Sequence, residues 1–556
     1  MLTQTASRGW QTLGAGAAYL AVSSAYFAIP VLPRFGSDEV GLGGDPQIFV
    51  WYLEWWPHAI LHGHNPFVTH AIWAPSGNNL AWSTSVPGLA LLLAPVTLAT
   101  GPVAAYNVAA VVLPAFAATT AFLLCLHLTR SFWPSLAGGY VFGFSSYMLG
   151  HELGHLHLTS VFLVPLAALF LLQFLEGRIG RRGLAVRFIP LLVLQLSFST
   201  EVFFTLTLAL AAGLAIGAWT VPGARRALLS ALVPLAGAYA ACAVVAGPLL
   251  YYALTSYQGV VTPTGNNPAD LVTYAFPTRI TAIGGSLAAH FDPHIPFVSA
   301  EDGQYLGLPL LAIVALFAVS RFRRPGSRFL VVSLVVAGIA TLGSPLVVRG
   351  HHLFPLPWAA IRWLPLVDNV IPKRLALFVS LVGAMIVALW AASPSVSRWL
   401  RIVLTALAVA ALFPHLGLGY WHERPLRPAF FADRLYRRCL RPDERVLAFP
   451  VDNDPLLWQA ESGFAFNLAN VGLSDAVPEK LPQRRTILAH FSNDVPPDGG
   501  SALVSAARRA GVAAILVDPR AGAKWLPLLA PQLHGRRVGG LEVYRVTPGP
   551  PTCSNA

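Results

Sequence analysis

The chain has 556 residues, of which 55% are hydrophobic and only 11% charged, far below the roughly 25% charged residues of a soluble protein. Its formal net charge of +12 does not mark a nucleic-acid binder, because the basic residues sit in short clusters between apolar runs, where they orient helices in a bilayer. Four cysteines exclude a disulfide framework; Cys125 and Cys242 lie in apolar runs, and spacing leaves open whether Cys439 and Cys553 pair.

The composition predicts a mainly α, polytopic membrane protein. A spanning helix needs about 20 apolar residues. Eleven segments qualify: near 12–33, 104–129, 133–149, 157–176, 186–200, 202–220, 227–253, 304–320, 329–347, 374–392 and 399–419. The first lacks a small-residue cleavage site and reads as a retained helix with a cytoplasmic N-terminus. Residues 34–103 then form a large first external loop.

Within that loop, GGDPQIFVWYLEWWPHAILHGHNPF (43–67) concentrates polar groups among tryptophans. Asp45 followed by Pro46 predicts a helix N-cap with proline at N1. Ile48, Tyr52, Trp55, Trp56 and Ala59 share an apolar face, and Gln47, Glu54 and His58 a polar strip. Pro57 is expected to kink or end the helix. The pattern suggests a helix lying on the outer leaflet, its tryptophans at headgroup level.

The segment 86–99, VPGLALLLAPVTLA, is apolar but short. Read as interfacial, it leaves Arg130, the 178–187 arginines, Arg225/Arg226, the 321–328 arginines and Arg398/Arg401 on one, cytoplasmic side, as the positive-inside rule requires. Loops 150–156, 254–303 and 348–373 then lie outside, with the region 420–556. Composition changes at Trp421, dividing the chain into a transmembrane part (1–419) and a small extracytoplasmic α/β domain (420–556). In that domain RVLAFPV, VAAILVD and LEVYRV read as strands and SALVSAARRAG as a helix ending at glycine.

Three further constellations carry chemistry. HELGH (151–155) has the HExxH spacing, which on a helix places His151 and His155 together for zinc with Glu152 as base. It resembles the site-2 intramembrane metalloproteases, although their third-ligand motif is absent and Asp368 is its nearest substitute. Histidines in a short wet loop are the plain alternative. In the loop ending IPKR, Lys373 and Arg374 run against the positive-inside bias, either snorkelling to headgroups or forming a phosphate site. Glu201, at the outer end of a span, has Ser199 and Thr200 as capping neighbours; Asp270, Asp292 and Asp302 have no distinguishing spacing.

Taken together, GGDPQ with Asp45, the segments WYLEWWPHAI and VPGLALLLAPV, the helix ending HLTRSFW, the AGGYVFGFSSYML span, HELGH with Glu152, IPKRLALF and the C-terminal domain resemble the GT-C superfamily of integral-membrane glycosyltransferases. The resemblance implies hexosyl or pentosyl transfer from a polyprenyl-phosphate-linked sugar to a cell-envelope glycan, lipid or protein acceptor, within the plasma or inner membrane. It implies Asp45 as general base, and Lys373, Arg374 and Arg362 on the lipid phosphate. Glu152 and His155 would stand across the cavity, and Glu54 and His58 would complete the substrate-binding set. If Asp45 only caps a helix, Glu54 or Glu152 becomes the base. No DxD pair accompanies Asp45, so no cofactor is expected, and a divalent metal has no such motif behind it. A zinc protease through His151 and His155, and a non-catalytic lipid-carrier transporter or assembly factor, are the alternatives.

Overall fold

The structure, a computed structural model, describes residues 2–255, 259–260, 267–284, 299–301, 303–364, 367–471, 477–478, 492, 494, 499–550 and 553. Asp292 and Asp302, and the side chain of Asp368, lie outside the described residues.

Six helical stretches among the described residues are long and apolar enough to cross a membrane: Gly9–Arg34, Pro102–Thr129, Leu156–Leu175, Thr200–Thr220, Pro222–Val245 and Pro372–Ala391. They match six of the eleven expected spans. The other five are shorter, interrupted or too charged: Phe132–Gly143 followed by Ser146–His151, then Arg181–Phe198 with three arginines, Leu308–Arg321, Pro325–Thr341 and Arg398–Ala411. The break at 144–145 arises because the Ser145 hydroxyl accepts from Met148 N at 3.3 Å, capping a new helix inside an unbroken apolar run. The segment expected at the interface is a helix, Pro87–Thr100, of 14 residues. At 1.5 Å per residue it reaches about 21 Å, short of a bilayer core of about 30 Å.

We label the elements used below α1 (Leu2–Ser23), α2 (Asp45–Leu61), α3 (Pro87–Thr100), α4 (Pro102–Thr129), α5 (Phe132–Gly143), α6 (Ser146–His151), α7 (Thr200–Thr220) and α8 (Ala376–Ala391). Within the membrane part, small residues let backbones meet. A Cβ on Gly143 would lie 2.4 Å from Ala118 Cβ, and one on Gly138 3.0 Å from Ala384 O, so α5 is pressed between α4 and α8. Hydrogen bonds lock the first helix to this core: Tyr19 OH to Leu136 O at 2.7 Å, Ser23 Oγ to Val111 O at 2.6 Å, and Tyr26 OH with Tyr140 OH at 3.0 Å.

The C-terminal region forms a five-stranded sheet from β1 (Arg445–Phe449), β2 (Asn467–Leu468), β3 (Ala514–Val517), β4 (Gly535–Val538) and β5 (Leu541–Arg545), in the order β4-β5-β3-β1-β2. β1 pairs parallel with β2 and β3, and β5 antiparallel with β3 and β4. The helices α9 (Asp454–Glu461) and α10 (Gly499–Arg509) connect them. The three strands and the helix read from the sequence are present, with β2 and β4 added, and Cys439 and Cys553 form a disulfide.

The helix α2 departs from expectation in three ways. Its N-cap is Gly44, at φ 84°, with Asp45 the first helical residue, so Asp45 is not the cap. Pro57 does not end the helix, which runs to Leu61. Nor is α2 a surface helix: Gln47, Phe49, Val50, Trp51, Tyr52, Leu53, Trp55, Trp56 and Ala59 are all buried. Its faces are covered by α3, α4 and the C-terminal helix α9. The indole N–H groups of Trp51, Trp55 and Trp56 donate to Gln459 Oε1 (2.7 Å), Pro66 O (3.0 Å) and Ser85 O (2.9 Å). Tryptophans that spacing assigns to headgroups are therefore core residues with satisfied donors. Trp51→Ala is expected to destabilise the protein by about 3–5 kcal/mol, seen as a lowered thermal midpoint of the detergent-solubilised chain.

Candidate active site

The first turn of α2 meets the HELGH loop. Two left-handed glycines, Gly43 (φ 93°) and Gly44 (φ 84°), turn the chain into the helix, and Gly154 (φ 155°) lets the HELGH backbone approach it. A Cβ on Gly154 would stand 2.8 Å from Asp45 Cβ and 3.0 Å from Pro46 Cδ. This contact brings His155 Nε2 to 3.2 Å from Asp45 Oδ2. The Asp45 side chain is 42% exposed and that of His155 16%, so the pair lines an opening while resting on the core.

On its other nitrogen, His155 Nδ1 stands 3.0 Å from His151 Nδ1. Burial pushes the His151 imidazole well below its ordinary range, with His155 and Arg374 adding to the shift, so His151 stays neutral. Two facing Nδ1 atoms require one donor and one acceptor. His155 Nε2 faces Asp45 Oδ2, and which of the two Nδ1 atoms donates depends on the tautomers. His151, His155 and Glu301 each offer a ligand atom within 4.8 Å of the others.

Behind the histidines, Arg374 is held by two carboxylates. Its Nε and Nη2 donate to Glu301 Oε1 at 3.1 and 2.6 Å, and its Nη1 to Glu201 Oε2 at 2.6 Å. His157 Nε2 lies 3.9 Å from the same Glu201 oxygen, and its ring stacks on Phe49 at 5.4 Å. The Ser199 hydroxyl caps α7, accepting from Val202 N at 3.1 Å, and this fixes Glu201 in the first turn.

The residues read from the sequence therefore divide. Asp45, His151, His155 and Arg374 converge. Lys373, beside Arg374, is buried. Glu152 is buried with Oε1 unbonded, and burial raises its carboxyl well above the usual range, opposed by a hydrogen bond with Thr159. It does not join the Asp45–His155 pair. Arg362 is exposed on its loop. Glu54 lies nine residues past Asp45, about 14 Å along the axis of α2, and His58 stacks on His62 at 4.1 Å and meets Phe464 in a tilted contact at 4.6 Å. Sequence reasoning missed Glu301 and His157. Glu301 has no local signal; the carboxylate pairing of Arg374 had one, in a basic residue on the side where basic residues are scarce.

The HExxH geometry is not realised on one helix. α6 ends at His151, Glu152 is its C-cap, and a turn through Gly154 precedes His155, so Glu152 does not face a metal held by the two histidines.

In sequence, no protein-family model and no curated protein matches the chain. In structure it is similar to the arabinofuranosyltransferase AftD from Mycobacteria (TM-score 0.56, 15% identity, 97% of this chain). The oligosaccharyltransferase of Archaeoglobus fulgidus, in complex with Zn and sulfate, is also similar (TM-score 0.53, 13% identity, 96% of this chain and 73% of that one). So is ArnT from Cupriavidus metallidurans bound to undecaprenyl phosphate (TM-score 0.52, 11% identity, 96% and 98%). The chain spans 40% of the length of AftD. At these identities the likeness is one of fold.

Burial lifts the Glu54 carboxyl to about 7, while burial and its neighbours His62 and His64 hold His58 at about 4. A raised carboxyl binds its proton more tightly folded than unfolded, so its contribution to stability falls as pH rises from about 4.5 to about 7. His58 contributes the opposite slope between about 4 and 6.5, common to wild type and Glu54→Gln. The thermal midpoint of wild type relative to Glu54→Gln is expected to fall across pH 4.5–7.

Proposed function

We propose that this chain, whose fold is that of the GT-C superfamily of membrane glycosyltransferases, transfers a sugar from a polyprenyl-phosphate carrier to a hydroxyl acceptor at the outer membrane surface. The observation that carries this reading is the Asp45–His155 pair, 3.2 Å apart, at the start of the first long loop. The clusters of arginine on the opposite loops support a cytoplasmic N-terminus and an extracytoplasmic C-terminal domain.

In this reading Asp45 takes the proton of the acceptor hydroxyl. The freed oxygen bonds to the anomeric carbon, the bond from that carbon to the phosphate oxygen breaks, and the lipid phosphate leaves with the bonding pair. His155 Nε2 positions the carboxylate of Asp45, and His151 holds the far side of the His155 ring. Lys373 and Arg374 supply positive charge for the departing phosphate. Because Arg374 is occupied by two carboxylates, phosphate contact there displaces Glu201, the singly bound one. The bound undecaprenyl phosphate of ArnT supports a lipid-phosphate donor.

A divalent metal is a second element of the reading, favoured by the convergence of His151, His155 and Glu301. The residues fit: His151, His155 and Glu301 each offer a ligand atom within 4.8 Å of the others, and the Asp45 carboxylate stands behind His155 Nε2, as a ligating imidazole requires. A metal held there would supply Lewis-acid stabilisation to the donor phosphate. The Zn complex of the oligosaccharyltransferase supports this.

Replacing Asp45 by Asn, in membranes given a labelled polyprenyl-phosphate sugar, is expected to reduce transfer on the order of 10²–10⁴-fold. Undiminished transfer removes Asp45 from the role. Replacing His155 by Gln should give a smaller loss, with a changed pH profile.

A further inference from the structure

The backbone just before α2 is tied to the segment entering the C-terminal domain by a short antiparallel pairing. Glu39 N donates to Glu423 O at 3.0 Å, and Glu423 N to Glu39 O at 2.9 Å. Residues directly opposite in such a pair project their side chains to the same face, where like charges repel. Glu39 is completely buried, and neither of its carboxylate oxygens has a hydrogen-bond partner. Arg427, whose own ion pair is with Glu461 at 2.7 Å, offsets part of this charge without a hydrogen bond to either oxygen.

Uncharged oxygens without partners stand at the same junction. Gln47 is 1% exposed, yet neither its amide nitrogen nor its oxygen is bonded. Its Oε1 lies 3.6 Å from the point a Cβ on Gly44 would occupy, and Asn453 Nδ2 lies 3.7 Å from that point. Gly44 N itself donates to Glu423 Oε2 at 3.3 Å. Asn453 Oδ1 is likewise buried and unbonded. Orphans of this kind destabilise a fold, and here they gather around one turn.

Protonating Glu39 would relieve its repulsion from Glu423, and burial, opposed by the charge of Arg427 and aided by Glu423, Asp454 and Glu461, raises its carboxyl well above the usual range. Protonation does nothing for the oxygens of Gln47 and Asn453. A hard cation is the group that oxygens of this kind lack: two carboxylates and two amide oxygens, with no sulfur or imidazole, are the donor set of Ca²⁺ and Mg²⁺. The irregular backbone around the turn favours the larger ion, whose coordination is the less strict.

We propose that Glu39, Glu423, Gln47 and Asn453 form a binding site for a hard divalent cation of the Ca²⁺ type, which joins the turn preceding Asp45 to the C-terminal domain. The site is separate from the His151–His155–Glu301 group. Its cation is structural, holding Gly43–Asp45 in place, and does not depend on which reaction the chain performs.

The test uses the full-length protein in detergent, stripped with EDTA and titrated with CaCl₂ or MgCl₂, with NaCl as the ionic-strength control. Calorimetry is expected to show one equivalent of Ca²⁺ bound more tightly than Mg²⁺, with a raised thermal midpoint. Glu39→Gln and Glu423→Gln should each weaken Ca²⁺ binding at least about tenfold, and Glu301→Gln should leave it unchanged. Should Glu39→Gln not fold, Glu423→Gln, at a half-buried position, reads the same quantity. Wild-type protein that binds no Ca²⁺, or a Glu423→Gln variant that binds it as wild type does, overturns the proposal. A midpoint raised by Glu39→Gln and indifferent to Ca²⁺ also overturns it, in favour of a protonated carboxyl.

Discussion

One fully buried amide holds the two parts of this chain in register. Gln459 accepts from Trp51 Nε1 at 2.7 Å through its oxygen, and its nitrogen donates to Ala71 O and Phe466 O, both at 2.7 Å. A single side chain thus joins α2, the middle of the first long loop and the C-terminal sheet, with every polar atom used. Removing a partner from so buried a group leaves an orphan costing about 1–3 kcal/mol. The loop backbone extends the junction: Leu468 N donates to Ala71 O at 2.7 Å and Ala74 N to Leu468 O at 2.9 Å. The C-terminal region is therefore the wall against which the start of the first loop is built, and the position of Asp45 depends on it.

A second constraint follows from the scarcity of charge. In an interior of low dielectric, ionised groups persist only in pairs, and the candidate site obeys this closely. Arg374 satisfies Glu301 and Glu201 together; His155 stands 3.2 Å from Asp45; burial, opposed by a hydrogen bond with Thr159, raises the Glu152 carboxyl. Three acidic residues are thereby placed in different surroundings. Asp45 is partly exposed beside an imidazole, Glu201 is committed to a guanidinium, and Glu152 is buried. Exposure and partner, rather than residue type, distinguish them.

The sequence carried the large features because they rest on composition and local pattern. Apolar runs of about 20 residues have one solution in a bilayer, and six of them became long helices. Branched runs in 445–451, 512–518 and 541–546 became strands β1, β3 and β5, since their alternation and turn residues act locally. The convergence of Asp45 with the HELGH loop and Arg374 was anticipated only through the likeness to GT-C enzymes. Periodicity misread α2: hydrophobic spacing states that a face is apolar but not whether lipid or protein covers it.

By itself, then, the sequence determined a helical membrane protein with an appended α/β unit and marked Asp45, His155 and Arg374 as residues of interest. Only the tertiary structure decided which of them meet. Glu301 lies 146 residues beyond His155, and Gln459 lies 408 residues beyond Trp51. Partners so distant leave no periodic trace, because their pairing is set by how helices and sheet pack. The same reason explains Asp45 itself. Its neighbourhood depends on a glycine at 154 and a turn at 43–44 whose meeting is a fact of packing, invisible in either stretch alone.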